Sequence, residues 1–166
     1  MSIAALLSIV VGTGLSLPAD KMITAATTPE QQCQLSAEER KSFEDLLNEL
    51  RQRHGLSPVS SAEVLRLTAR GHSMDMAARA KLSHFGSNGS DFVVRLSHQG
   101  YAPSYAAENV AWNQDDVAGV ISDWEASPAH RRAMMSADIT QFGLSRICSD
   151  VREPYWTLIV ATPLAG

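Results

Sequence analysis

Apolar residues recur along this chain first at intervals of three and four, and later at intervals of two. In SAEERKSFEDLLNELRQRHG, residues 36–55, Phe43, Leu46, Leu47 and Leu50 share one helical face. Ser36 with Glu39 has the spacing of a capping box, and Gly55 closes the run. A second helix is predicted over SSAEVLRLTARGHSMDMAARA, residues 60–80, where Ser60 and Glu63 repeat the box and Leu65, Ala69, His72 and Met76 form the stripe. Gly71 weakens that helix by about 1 kcal/mol relative to alanine without cancelling it. SDFVVRLSHQG reads as a short third helix closed by Gly100, and DDVAGVISDWEAS as a fourth with Val117, Ile121 and Trp124 inward. After these the period changes. FGLSRICS alternates, and YWTLIVATP is a β-rich run bounded by Pro154 and Pro163. Helices first and strands late, without a regular βα repeat, give an α+β class: a small, mainly antiparallel sheet covered by helices.

A chain of 166 residues, 45% hydrophobic, is long enough for one core and short for two. A formal charge of -4 argues against a nucleic-acid binder, which needs clustered Lys and Arg. The short basic clusters Arg51 to His54 and Arg131-Arg132 read as solvated helix ends. Residues 1–19, MSIAALLSIVVGTGLSLPA, are uncharged with an apolar stretch of secretory length, although no Lys or Arg precedes it. They are expected to be a signal peptide cleaved after Ala19, with a retained anchor as the alternative. Gly12, Thr13, Gly14 and Ser16 dilute a spanning helix. Residues 20–35 then form an N-terminal tail and 36–166 the folded domain, secreted or periplasmic, with no stable membrane insertion once the leader is removed.

Two cysteines suit an oxidising compartment. A Cys33–Cys148 bridge would tie the start of the domain to its sheet and be worth about 4 to 5 kcal/mol on the loop-entropy view. Two unpaired, packed thiols are the other reading.

Three segments look unlike scaffolding, each beside an element end. KLSHFGSNGSD holds His84 in a Gly- and Ser-rich turn, AAENVAW holds Glu108, and SPAHRR holds His130. Ser127 is a natural N-cap and Pro128 suits the first helical position, which puts His130 at the third. A helix N-terminus disfavours imidazolium and so favours the metal-ligating neutral ring. Two imidazoles and a carboxylate suit a first-row divalent cation, with zinc the default.

The ordered set LTARGHSMDMA, LSHFG, GY, AENVAW, SPAHR, FGLS and YWTLIVA resembles the CAP superfamily in its bacterial secreted form: the cysteine-rich secretory proteins, antigen 5 and pathogenesis-related proteins. The resemblance spans roughly residues 43–161. It implies an α-β-α sandwich whose cleft carries His84, Glu108 and His130 as cation ligands, with Asn109, Ser127 and Arg131 of the same motifs as ligand contacts. It also implies an exported module that binds a small or lipid-like ligand or a cell-surface component. The alternative is a metal-dependent hydrolase, with Glu108 activating a bound water. Two positions depart from the family. Ala107 stands where members usually have glycine, and Ser127 where eukaryotic members place a second Glu. Glu125, about 100° from Trp124 around the helix, does not replace it. His72 is expected to be a core or boundary histidine, His54 and His98 to be exposed at helix ends, and Met74, Met76, Met134 and Met135 to pack in the core.

Overall fold

The computed structural model describes residues 33–165. The expectations for the leader, its cleavage at Ala19 and most of the tail lie outside the described residues. Among the described residues, no helix is long and apolar enough to cross a membrane.

Helix α1 (Ala37–Arg53) starts at the capping box read from the sequence: the Glu39 amide donates to Ser36 Oγ at 3.1 Å, and the Ser36 amide to the Glu39 carboxylate at 2.7 Å. Phe43, Leu47 and Leu50 are buried. Strand β1 (Ser60–Ser61) then leads into α2 (Glu63–Arg79). The second capping box does not form. The Ser60 and Ala62 amides donate to the carbonyls of Thr140 and Phe142, so the strand claims Ser60, and Ala62 becomes an N-cap without a side-chain bond. Helix α3 (Phe92–His98) is capped by Asp91 and released at Gly100, whose φ of 73° lies where glycine is unstrained. Strand β2 (Pro103–Trp112), α4 (Val117–Ala126), α5 (Pro128–Met134), β3 (Gln141–Cys148) and β4 (Pro154–Pro163) complete the order.

The four strands lie in the order β1-β3-β4-β2. Only β1 against β3 is parallel; β3 and β2 both pair antiparallel with β4. Side chains alternate between the two faces. Trp156, Leu158 and Val160 of β4 join Phe43, Leu47, Val120 and Trp124 beneath α1, α4 and α5. Ile159 and Ala161 face Leu65, Ala69 and Leu96 of α2 and α3. Both faces are thus covered, which is why β3 and β4 are buried along almost their whole length rather than at alternate positions. This is the expected α-β-α sandwich. Gly143 lets α2 lie directly on β3: a Cβ there would stand 2.2 Å from the Leu65 carbonyl carbon.

Cys33 and Cys148 are joined in a disulfide. Arg146 reinforces the same corner, donating to the carbonyls of Cys33 (2.8 Å) and Asp115 (3.0 Å) and lying 5.2 Å from the Trp156 ring centroid.

Two surface expectations are corrected. Arg51 is fully buried, because its guanidinium satisfies the carbonyls of Ser57, Met134 and Ser136 where α5 ends. Met74 is 40% exposed, since it falls off the Leu65–Met76 stripe, whereas Met76 and Met134 are buried.

Candidate functional site

Glu108 does not stand at an element end. It sits within the ten-residue strand β2, paired with Ile159 of β4. Three things concealed that strand in the sequence: its opening Pro103, two consecutive alanines, and a carboxylate in its middle. All are poor strand signals. Ala107 is an ordinary strand residue paired with Val160 and has no positive φ, so the missing glycine costs nothing here.

Strand β2 is an edge strand, and the alternation of its side chains organises the site. Glu108 lies with Ala106 and Val110 on the α2/α3 face, while Asn109 lies with Ala107 and Ala111 on the α4/α5 face. One residue step therefore sends a carboxylate to one side of the sheet and an amide to the other.

On the first side Glu108 is 8% exposed and its side chain is wholly buried. Its Oε1 accepts from His84 Nδ1 at 2.9 Å, and Oε2 accepts from Arg95 Nη2 at 2.5 Å. His72 Nε2 stands 3.9 Å from Oε1. A carboxylate taken from water to this depth requires such partners. Because His84 donates through Nδ1, its Nε2 keeps a lone pair, and the ring is half open to solvent, with a side chain 51% exposed.

The turn carrying His84 is held from two helices. His72 Nε2 donates to the Ser83 carbonyl at 2.7 Å. Arg79 donates to the Phe85 carbonyl, and Asp75 accepts the Ser87 amide. Arg95 Nη1 donates to the carbonyls of His84 and Ser90. The turn leaves α2 through Ala80, whose φ of 47° is left-handed and costs a non-glycine residue about 1 kcal/mol or more. Strain of that kind persists where surrounding contacts fix it.

On the second side, Asn109 Nδ2 donates to the His130 carbonyl at 3.0 Å, which ties the first turn of α5 to the strand. Pro128 is the first helical residue, so His130 occupies the third position, as the sequence predicts. Ser127 takes the N-cap backbone conformation, yet its hydroxyl makes no capping bond. Burial pushes the His130 ring below the usual histidine range, and a charge on His84 would lower it further. Arg131 instead reaches the far end of α1, 2.6 Å from His54 Nε2.

The structure therefore joins His84 to Glu108 on one side of β2 and Asn109 to the His130 backbone on the other. It adds Arg95 and His72, to which sequence reasoning gave no role in the site. Among the described residues, no group of three or more His, Cys, Asp or Glu is arranged to hold a metal. Imidazoles are donors of the kind a divalent cation takes, and Glu108 bonds the His84 ring through Nδ1.

A family model described as CAP, cysteine-rich secretory protein family, matches residues 44–160. Two relatives from Bacillus subtilis (strain 168) are similar over most of the chain. "Uncharacterized membrane protein YlbC" is 29% identical over 72% of this chain and 34% of its own length. "Uncharacterized protein YkwD" is 32% identical over 78% of this chain and 49% of its own. The chain thus spans between a third and a half of these relatives. Among solved structures, an outer surface protein from Borrelia burgdorferi superposes with a TM-score of 0.71 at 17% identity, over 79% of this chain and 98% of that one. An extracellular SCP-domain protein from Bacillus anthracis str. Ames gives 0.66 at 23%, over 76% of this chain and 44% of that one. These likenesses establish the sandwich fold.

Proposed function

The chain belongs to the CAP family of cysteine-rich secretory proteins, and from that premise we propose that it is an exported binding module whose edge-strand cleft takes a divalent cation, zinc by its imidazole donors, or a small or lipid-like surface ligand. The observation that carries the reading is the arrangement about β2. Glu108 holds His84 by Nδ1, leaving Nε2 free, and Asn109 holds the helix that presents His130. Export is supported by the uncharged apolar stretch at residues 1–19 and by the disulfide. The words "extracellular" and "outer surface" in the names of two structural neighbours point the same way.

A cation at this site would supply positive charge for an anionic or carbonyl group of a ligand. His84 and His130 would hold it, while Glu108 fixes the His84 ring and Asn109 the backbone that carries His130. The hydrolase alternative asks Glu108 to act as general base. Both its oxygens are engaged, Oε1 by His84 and Oε2 by Arg95, and deprotonating a water there would require giving up the ion pair with the largely buried Arg95 side chain. Binding without turnover is the function this geometry supports best.

Zinc titration of the full chain by calorimetry, with peptide and cell-wall hydrolysis followed in parallel, tests the reading. Saturable binding that is lost in His84→Ala and in His130→Ala, both still folded and neither wild type nor variants hydrolysing substrate, is the expected result. Unchanged affinity in both variants, or chelator-sensitive turnover, would overturn it.

A further inference from the structure

At the β1/β3 side of the sheet, two strands away from the β2 edge, four arginines line one small niche: Arg40 from α1, Arg66 and Arg70 from α2, and Arg146 from β3. The niche measures about 20 Å³ and adjoins a groove of about 610 Å³, with Gln34, Arg40, Arg66 and Leu144 forming walls of both. Among the described residues, no carboxylate lines the niche. Arg146 is fully engaged: Nε and Nη1 donate to the carbonyls of Cys33 and Asp115, and Nη2 pairs with Glu39 at 2.9 Å. The other three are not. Arg66 gives Nε and Nη2 to Glu63 and keeps Nη1, and Arg40 gives only Nη1, to the Leu35 carbonyl. Arg70 has no partner among the described residues, and the nitrogens that these three half-buried side chains leave unbonded are open to solvent rather than buried.

The charges do not balance at this place. Four guanidiniums with two bonded carboxylates, Glu39 and Glu63, leave an excess of two positive charges, on a chain whose formal charge is -4. Farther along the groove Lys41 and Glu44 offset each other. Arg66 and Arg70 stand four residues apart on one face of α2, a spacing at which like charges repel, and Glu63 relieves only the first. An anion between them removes that repulsion. Its chemistry follows from the donors, which come from three separate guanidiniums and so call for several acceptor oxygens and two negative charges. A phosphate monoester supplies both, with about -1.5 to -2 of charge at neutral pH and three strong acceptor oxygens that arginine forks match. A carboxylate or a phosphodiester carries a single charge and two such oxygens. A niche of this size admits one oxygen-sized group, and the groove beside it has room for the rest of the ligand.

We propose that the niche and its groove form an anion site, separate from the histidine cleft, which takes a phosphate dianion, either free phosphate or the terminal phosphate of a small phosphorylated compound. Arg40, Arg66 and Arg70 bind its oxygens, while Arg146, with its donors engaged, contributes charge alone. Occupation of this site does not depend on the cation.

The test is a nitrogen-15 NMR titration of the full disulfide-bonded chain at neutral pH and fixed ionic strength, following the Nε–H signals of Arg66 and Arg70. The probes are inorganic phosphate, glycerol 3-phosphate and, as a monoanion of similar shape, dimethyl phosphate. Saturable shifts at millimolar concentration are expected with both dianions, and much weaker binding with dimethyl phosphate. Glycerol 3-phosphate binding more tightly than inorganic phosphate marks a phosphorylated compound, and equal or weaker binding marks free phosphate. Arg70→Gln, which breaks no bond among the described residues, should weaken phosphate about tenfold, as the loss of a charge-assisted contact does, and Arg70→Lys should restore part of that loss. His84→Ala should leave it unchanged. Absence of saturation with both dianions, equal affinity for dimethyl phosphate, or binding untouched by Arg70→Gln would overturn the proposal.

Discussion

The two faces of the sheet are covered alike and built differently. Beneath α1, α4 and α5 a single apolar cluster runs unbroken from Leu35 to Val160. Beneath α2 and α3 the apolar residues fall into two groups, one around Leu65 and Ile159 and the other around Met76 and Tyr155. Polar residues divide them: Ser73 donates to Thr157 at 2.9 Å, and the buried His72 and Glu108 cluster beside them with the largely buried Arg95 side chain. Continuous burial of apolar surface is the more stabilising way to cover a sheet. A face that interrupts it with a paired carboxylate and guanidinium sacrifices stability at that place, and such exceptions concentrate where a protein works.

The contrast is broken most severely at Glu108. Glu108→Ala should cost about 3–5 kcal/mol in urea unfolding, because it strands the largely buried guanidinium of Arg95, and Arg95→Met added to it should recover part of that loss. Leu158→Ala on the apolar face should cost about 2–5 kcal/mol, with no second change nearby restoring it. If the Glu108 and Arg95 losses simply add, the pair is not a coupled unit.

A smaller effect separates the faces by pH. Burial holds His72 below its ordinary value, outweighing the opposing pull of Glu108. As pH falls below about 6.5 the unfolded chain takes up the proton first, so stability is full above that pH and declines as pH drops toward the lowered folded value, by at most about 1.4 kcal/mol per unit. Stability measured at pH 7.5 and 5.5 should therefore fall in the wild type and in Leu158→Ala alike, and fall less in His72→Gln. An equal decline in all three would remove His72 as a source of the acid sensitivity.

Smallest are two backbone exchanges, one within α2 and one at its C-terminal end. Gly71→Ala should stabilise by about 1 kcal/mol, since its Cβ meets open space, and Ala80→Gly by a similar amount through relief of its left-handed φ. A loss of melting temperature in either would contradict the local geometry.

The apolar face was legible in the sequence because its rule is simple periodicity: Phe43, Leu47, Leu50, Ile121 and Trp124 all lie where the spacing put them, and the strands YWTLIVATP and FGLSRICS were plain. The polar side was legible only in part. His84, Glu108 and His130 stood out as residues, but β2 did not stand out as a strand, because a buried Glu108 and its neighbouring alanines mimic a loop. The inward turn of Arg51 and Arg95 was missed for a different reason. Each donates to partners distant in sequence, Glu108 for Arg95 and the Met134 and Ser136 carbonyls for Arg51, and no local pattern reveals such pairings.

One step along β2, from Glu108 to Asn109, separates the bond to the His84 ring from the bond to the His130 backbone, on opposite faces of the sheet. The most direct measurement of that coupling is the zinc affinity of the full chain in Glu108→Gln and in Asn109→Ala, by competition against a chromogenic chelator at neutral pH. Each variant should weaken binding by about 10- to 100-fold without abolishing it, as expected when an outer residue orients a ligand rather than serving as one. Affinity unchanged in either variant would contradict this account, and complete loss in Glu108→Gln would make Glu108 a ligand itself.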